Sequence, residues 1–240
     1  MLVAAAVCPC PPLLVPQVAA GAADELADAR TACSDALAVL AAARPDRLVV
    51  VGPAPVEGVE PYAEGARGTF RGFGVALDVR LGPGESGAGE PNAAGLPGSL
   101  AVAAWLLDHV AWGAAPVQGV AVGEGLPAER CLATGRDLAA GPERVALLVM
   151  GDGSACRTLK APGYLDERAA GFDAAAARAL AAADTAALAA VDAGLAHELQ
   201  AAGRAPWQVL AGAAEGAGLA GRLLYEDAPY GVGYFVAAWS

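Results

Sequence analysis

Arg144-Val145-Ala146-Leu147-Leu148-Val149-Met150-Gly151-Asp152-Gly153-Ser154-Ala155 sets a short apolar run directly against a turn. The run is too short for a stable helix and has no polar face, so it reads as a strand buried on both sides, the kind found in parallel sheets covered by helices. Gly151 through Ser154 supply the small, turn-forming residues expected where such a strand ends.

Similar runs lie on either side. Residues 2–7, 47–52 and 117–122 read as further strands, 69–79 as another, and 223–225 and 232–239 as strands that close the sheet. Alanine-rich stretches with larger apolar residues at helical spacing fall between them. Residues 18–43 are expected to form one helix with Leu26, Cys33, Leu37 and Leu40 on a common face. A second helix starts near Pro97 and buries Leu100, Leu106, Leu107 and Val110, and a third covers 127–140. Residues 172–214 read as helical pieces punctuated by Asp184, Asp192, Gly203 and Pro206. The expected fold class is α/β: a single three-layer α/β/α domain over 1–240 with a central, mostly parallel or mixed sheet. Residues 81–98, rich in glycine and proline, read as a flexible loop.

Composition narrows the function classes. The mean hydropathy is +0.44 and the hydrophobic content 56%, which is ample for a core. Much of it is alanine, a helix former, and no apolar run approaches the roughly 20 residues that cross a bilayer. The first residues read as a buried strand and not as a signal peptide. The expectation is a cytoplasmic chain with no membrane partner. A net charge of −11 argues against nucleic acid, whose phosphates demand a basic face. Five cysteines, an odd number, are expected as reduced thiols. The two histidines, His109 and His197, both fall inside helical patterns, so no ordinary histidine-based metal or acid–base centre is expected. A homo-oligomer stays open.

In open α/β sheets ligands gather at the carboxyl ends of the strands. That rule selects Cys8-Pro9-Cys10-Pro11-Pro12, Gly52-Pro53-Ala54-Pro55, residues 151–155, and Tyr225-Glu226-Asp227-Ala228-Pro229-Tyr230-Gly231-Val232-Gly233. The candidate pocket is therefore Cys8, Cys10, Ala54, Asp152, Ser154, Lys160, Glu226 and Tyr230. Cys8 and Cys10, two apart in extended chain, point the same way. With Asp152 and Glu226 they form one candidate zinc set, while the simpler reading makes Cys10 a small buried group. Ser154 and Lys160 share a loop and suggest a nucleophile with a lysine base. Lys160, Arg157 and Arg168 would instead suit an anion, or merely solvate that loop.

Taken in order, these segments resemble the class III extradiol ring-cleavage dioxygenases, of the catalytic β-subunit type of protocatechuate 4,5-dioxygenase, and more distantly the Memo-like proteins. Cys10-Pro11-Pro12-Leu13-Leu14 stands where the family shows His-Pro-Pro-Leu, and Gly52-Pro53-Ala54 where it shows Ser-Pro-His. Residues 151–155 stand for Gly-Asp-x-Ser-His, followed by Gly163-Tyr164 and Phe172-Asp173. Ala228-Pro229-Tyr230-Gly231-Val232-Gly233-Tyr234, preceded by Glu226, is the most family-like stretch. The resemblance implies a non-haem Fe(II) site made of two histidines and a carboxylate, with a further histidine as acid–base. Carried over, the ligand positions are Cys10 and Ala54, the acid–base position is Ala155, and Glu226 would hold the carboxylate role. Cys10 and Glu226 are then the only weak metal candidates. The expectation is a noncatalytic homologue that has lost Fe(II), has no cofactor, and keeps a pocket for a small-molecule ligand. The alternatives are an enzyme with a rebuilt Cys/carboxylate metal site, and a structural or partner-binding protein.

Overall fold

The structure is a computed structural model and describes residues 1–84 and 95–240. The chain opens with β1 (Leu2–Cys8), the short α1 (Pro16–Ala19) and α2 (Ala27–Ala42), then β2 (Arg47–Ala54), β3 (Val59–Tyr62), β4 (Arg67–Thr69) and β5 (Asp78–Arg80). Next come α3 (Gly98–His109), β6 (Val117–Gly123), α4 (Ala128–Ala139) and β7 (Val145–Met150). Four helices follow, α5 (Ala169–Ala182), α6 (Thr185–Ala189), α7 (Ala193–Glu198) and α8 (Arg204–Ala213), before β8 (Gly221–Asp227) and β9 (Tyr234–Trp239).

Seven strands form one sheet in the order β3-β6-β2-β7-β1-β9-β8. The inner pairs β6–β2, β2–β7 and β7–β1 are parallel, and β3, β9 and β8 add on antiparallel. The chain is therefore α/β with a mixed central sheet. Period-2 alternation sorts the core into two layers. Leu48, Val50, Ala146 and Leu148 pack under α2 and α3, whereas Val49, Val51, Leu147 and Val149 pack under α4, α5, α6 and α8. Both faces of the inner strands are covered, which is why the sequence shows unbroken apolar runs there.

Two sequence expectations need correction. The helix expected over 18–43 is broken: α1 ends at Ala19, residues 20–26 wind as a 3-10 stretch, and α2 begins only at Ala27. The cause is local, since Ala20 adopts a φ of +48° and interrupts the i→i−4 ladder. The face itself is as read, with Leu26, Cys33, Leu37 and Leu40 all buried. The strand expected around 69–79 is a small separate hairpin, β4 against β5, turned through a 3-10 segment at Arg71–Phe73 and a left-handed Gly74. The edge strand β3 gave no apolar signal because its first three residues are exposed. Of the loop expected over 81–98, residues 85–94 lie outside the described residues.

Asp184 and Asp192, read as punctuation, are helix N-caps. Their carboxylates accept the amides of Ala187 at 2.9 Å and Leu195 at 2.7 Å, satisfying donors that a helix start leaves free. Pro206 sits in the first turn of α8, where its missing N–H costs nothing. Helices α4 and α8 approach closely through glycine. A Cβ on Gly135 would run into the carbonyl oxygen of Val209, and one on Gly212 into that of Leu132. Gly135→Ala is therefore expected to lower the unfolding free energy by about 1–3 kcal/mol in urea titrations. Gly21→Ala, with open space around it, should change it by less than about 0.5 kcal/mol. Equal midpoints for the two variants would contradict this packing.

Candidate small-molecule site at the strand ends

Strand register decides which side chains can meet. Cys8 lies opposite Met150 on β7, and Val7 lies opposite Ala237 on β9. Continuing the same staggers beyond the last paired residues sets Cys10 level with Asp152 on one side and with Tyr234 on the other. Val51 opposite Val149 brings Ala54 level with Asp152 in the same way. Asp227 is paired with Tyr234. Ala54, Asp152, Cys10, Tyr234 and Asp227 thus form one row across five adjacent strand ends. Alternation puts them on one face, because Cys8, Ala54, Met150 and Tyr234 all belong to the core layer under α2 and α3 and Cys10 packs against it.

Glu226 falls outside this row. It is paired with Phe235, whose ring belongs to the opposite core layer, so its exposed carboxylate leaves the sheet on the side away from Cys10. The sequence pairing of Cys10 with Glu226 as metal candidates is thereby corrected: the carboxylate that meets Cys10 is Asp152. The Cys10 amide donates to Asp152 Oδ1 at 2.8 Å. Cys8 is buried and faces Cys33 across the sheet–α2 contact, and all five cysteines are free thiols. Among the described residues no group of three or more His, Cys, Asp or Glu side chains is arranged to hold a metal ion, so the Cys8, Cys10, Asp152 and Glu226 zinc set is not assembled.

The loop after β7 is fixed by a buried carboxylate. Asp173, on α5 just past its first turn and fully buried, accepts the Ser154 amide at 2.8 Å and the Ser154 hydroxyl at 2.8 Å. Arg157 completes the cluster, donating to Asp173 Oδ2 at 2.9 Å. Gly153 and Gly233 make room for it, since a Cβ on either would press on the Asp173 carboxylate. The same two loops are joined through their backbones, Gly153 N–H to Gly233 O at 2.6 Å and Gly233 N–H to Ser154 O at 2.9 Å. Gly203 N–H holds the Asp152 carbonyl at 2.8 Å.

This arrangement overturns two readings of the loop. Ser154 is fully buried and spends its hydroxyl on Asp173, while Lys160 is exposed, so they make no nucleophile–base pair. Arg157 is committed to Asp173, and Arg168 to Asp166 and Glu198, which leaves no convergent basic site for an anion. Ala155 is buried, its amide bonded to Leu199 O at 2.9 Å. His109 ends α3, stacked on Trp105 with ring centroids 5.1 Å apart, and His197 is exposed on α7.

Electrostatically the row is desolvated and acidic. Burial raises the Asp152 carboxyl to about 7, against the pull of the Cys10 amide. The Cys10 thiol is pushed well up by burial and then by the negative charge of Asp152 and Glu124. Tyr234 is raised by burial, then by Asp152 and Cys10. Tyr225 is raised to about 12 by burial and by Asp227 and Asp28. Among the described residues the Tyr230 hydroxyl is buried without a hydrogen-bond partner, and it is raised by burial and then by the Glu25 carboxylate. Tyr234, Glu124 and Asp173 were missed as candidates. Tyr234 and Asp173 both lie in quoted motifs, and strand parity would have found Tyr234.

A separate cleft of about 910 Å³ lies between the β4–β5 hairpin and α3, with Arg67, Arg80, Trp105 and Trp112 among its walls. It contains none of the candidate residues.

No family model matches this chain, and no characterised protein matches it in sequence. Among solved structures, an uncharacterized protein of Escherichia coli K12 superposes with a TM-score of 0.58 at 13% identity, over 99% of each chain. That likeness establishes a shared fold.

The Asp173 cluster yields a stability prediction. Asp173→Ala removes the acceptor for three donors and leaves Arg157 without its partner, an expected loss of about 3–5 kcal/mol by chemical denaturation. A loss below about 1 kcal/mol would show that the cluster does not fix the loop.

Proposed function

We propose that this chain is an iron-free relative of the class III extradiol dioxygenases that binds a small organic molecule at its strand ends. The observation that carries the reading is the one-face row of Ala54, Asp152, Cys10 and Tyr234. It occupies the site where α/β sheets bind ligands, and it combines a desolvated carboxyl with a tyrosine hydroxyl that makes no hydrogen bond among the described residues. The residues present do not suit the Fe(II) centre that the resemblance implies. Ala54 and Ala155 have no donor atom, Glu226 lies on the wrong face, and neither histidine is near the row. A site with only Cys10 and Asp152 lacks the third ligand of a facial triad.

The resemblance and the row together support binding without ring cleavage. Element analysis of protein purified without chelators should give iron and zinc well below one atom per chain. Oxygen consumption with catechol or protocatechuate should stay at background after loading with ferrous iron under anaerobic conditions. Near-stoichiometric metal that disappears in Cys10→Ala would overturn the proposal in favour of a rebuilt metal site. Appearance of a ring-opened product would overturn it in favour of family chemistry.

A further inference from the structure

Tyr234 is 97% buried, being 3% exposed, yet its hydroxyl makes no hydrogen bond among the described residues. Unlike the hydroxyl of Tyr230, it is not fully sealed from solvent, and Asp152 and Cys10 are the charged neighbours that act on it most. An unsatisfied hydroxyl in such a place has a ligand's or a water's hydrogen bond to make.

The charges at these strand ends share one sign. Asp152 and Glu124 act on Cys10, Asp152 acts on Tyr234, Asp227 and Asp28 act on Tyr225, and Glu25 acts on Tyr230. No lysine or arginine acts on any of these four side chains. Of the basic groups closest in sequence, Arg222 on β8 is exposed and Arg30 keeps one buried guanidinium nitrogen, Nη1, without a partner among the described residues. Arg30 donates to Ala23 O and acts on Cys33, Arg157 is held by Asp173, and Lys160 is exposed. Among the described residues the donors that reach the Asp152 carboxylate both belong to Cys10, its amide at 2.8 Å and its thiol. Asp152 therefore has unfilled acceptor capacity in a desolvated setting.

We infer that the strand-end region takes an organic cation, an ammonium group carried on an apolar or aromatic body, with Asp152 as counter-ion and the Tyr234 hydroxyl as hydrogen-bond partner. The inference rests on the binding function proposed above and names its ligand class. An anionic ligand would meet Asp152 with no opposing charge, at a cost that burial enlarges. A neutral ligand would leave the carboxylate desolvated and unpaired. An ammonium restores the ionised form of Asp152 and can donate to the Tyr234 hydroxyl oxygen.

Four probes of one shape test it on the full chain at mildly alkaline pH: benzylammonium, benzyltrimethylammonium, benzyl alcohol and benzoate, titrated by calorimetry and protein NMR. Benzylammonium should bind about tenfold or more tightly than benzyl alcohol, and benzoate should not bind. Asp152→Asn, which keeps the acceptor for the Cys10 amide, should remove that preference and bring benzylammonium down to the level of the alcohol. Tyr234→Phe should weaken benzylammonium severalfold, by about the strength of one hydrogen bond, and keep the preference. Thermal melts establish that both variants are folded. Benzoate or benzyl alcohol binding as tightly as benzylammonium would overturn the cation assignment and leave the binding function standing. A preference that survives in Asp152→Asn would overturn the assignment to this region. Failure of all four probes to bind would overturn both the cation and the binding function.

Discussion

The buried carboxylate of Asp173 fixes the geometry on which the strand-end region depends. A charge this deep is tolerable only when its oxygens are filled, and here the Ser154 amide, the Ser154 hydroxyl and the Arg157 guanidinium fill them. Ser154 lies two residues beyond Asp152, and Gly233, which touches the same carboxylate, immediately precedes Tyr234. One buried acid therefore sets the positions of a carboxyl and a phenol on strands either side of β1. Cys10, at the end of β1, falls between them.

This also explains the small residues around the site. Gly151, Gly153, Gly203 and Gly233 all sit where a Cβ would collide with backbone or with Asp173, so their conservation of space serves loop-to-loop contact. In the sequence they look like generic turn residues. Their role emerges only when the loops after β7 and before β9 are placed side by side, a contact between residues about 80 positions apart in the chain that local pattern does not encode.

Much of the fold was legible in the sequence because the inner strands are buried on both faces, so their apolar runs are unbroken, and because aspartates mark the starts of α6 and α7. The break at Ala20 was not, since alanine carries no signal for a positive φ. Edge strand β3 escaped because it is short, with only Tyr62 of its four residues buried. At the site, Cys10, Ala54 and Asp152 were found by the strand-end rule, whereas Glu226 was chosen for its place in a motif. A shift of one residue along a strand reverses the face, and parity gives β8's place in the row to Asp227 and β9's to Tyr234. Ser154 and Lys160 misled because nearness along a loop says nothing about where a hydroxyl spends its hydrogen bond.

On the proposed account the scaffold keeps a ligand site while the two histidines that would hold Fe(II) are replaced by a thiol and an alanine, and the acid–base histidine by a second alanine. Its central physical claim is that Asp152 stands in a desolvated row, facing Cys10 and Tyr234, with room for a counter-ion. Carbon-detected NMR of the Asp152 carboxyl across a pH titration of the ligand-free protein tests that most directly, with Asp152→Asn used to assign the signal. The account predicts a midpoint near 7, far above the ordinary value of 3.8. A midpoint at the ordinary value would mean that Asp152 is solvated, and that the row is a surface and not a site.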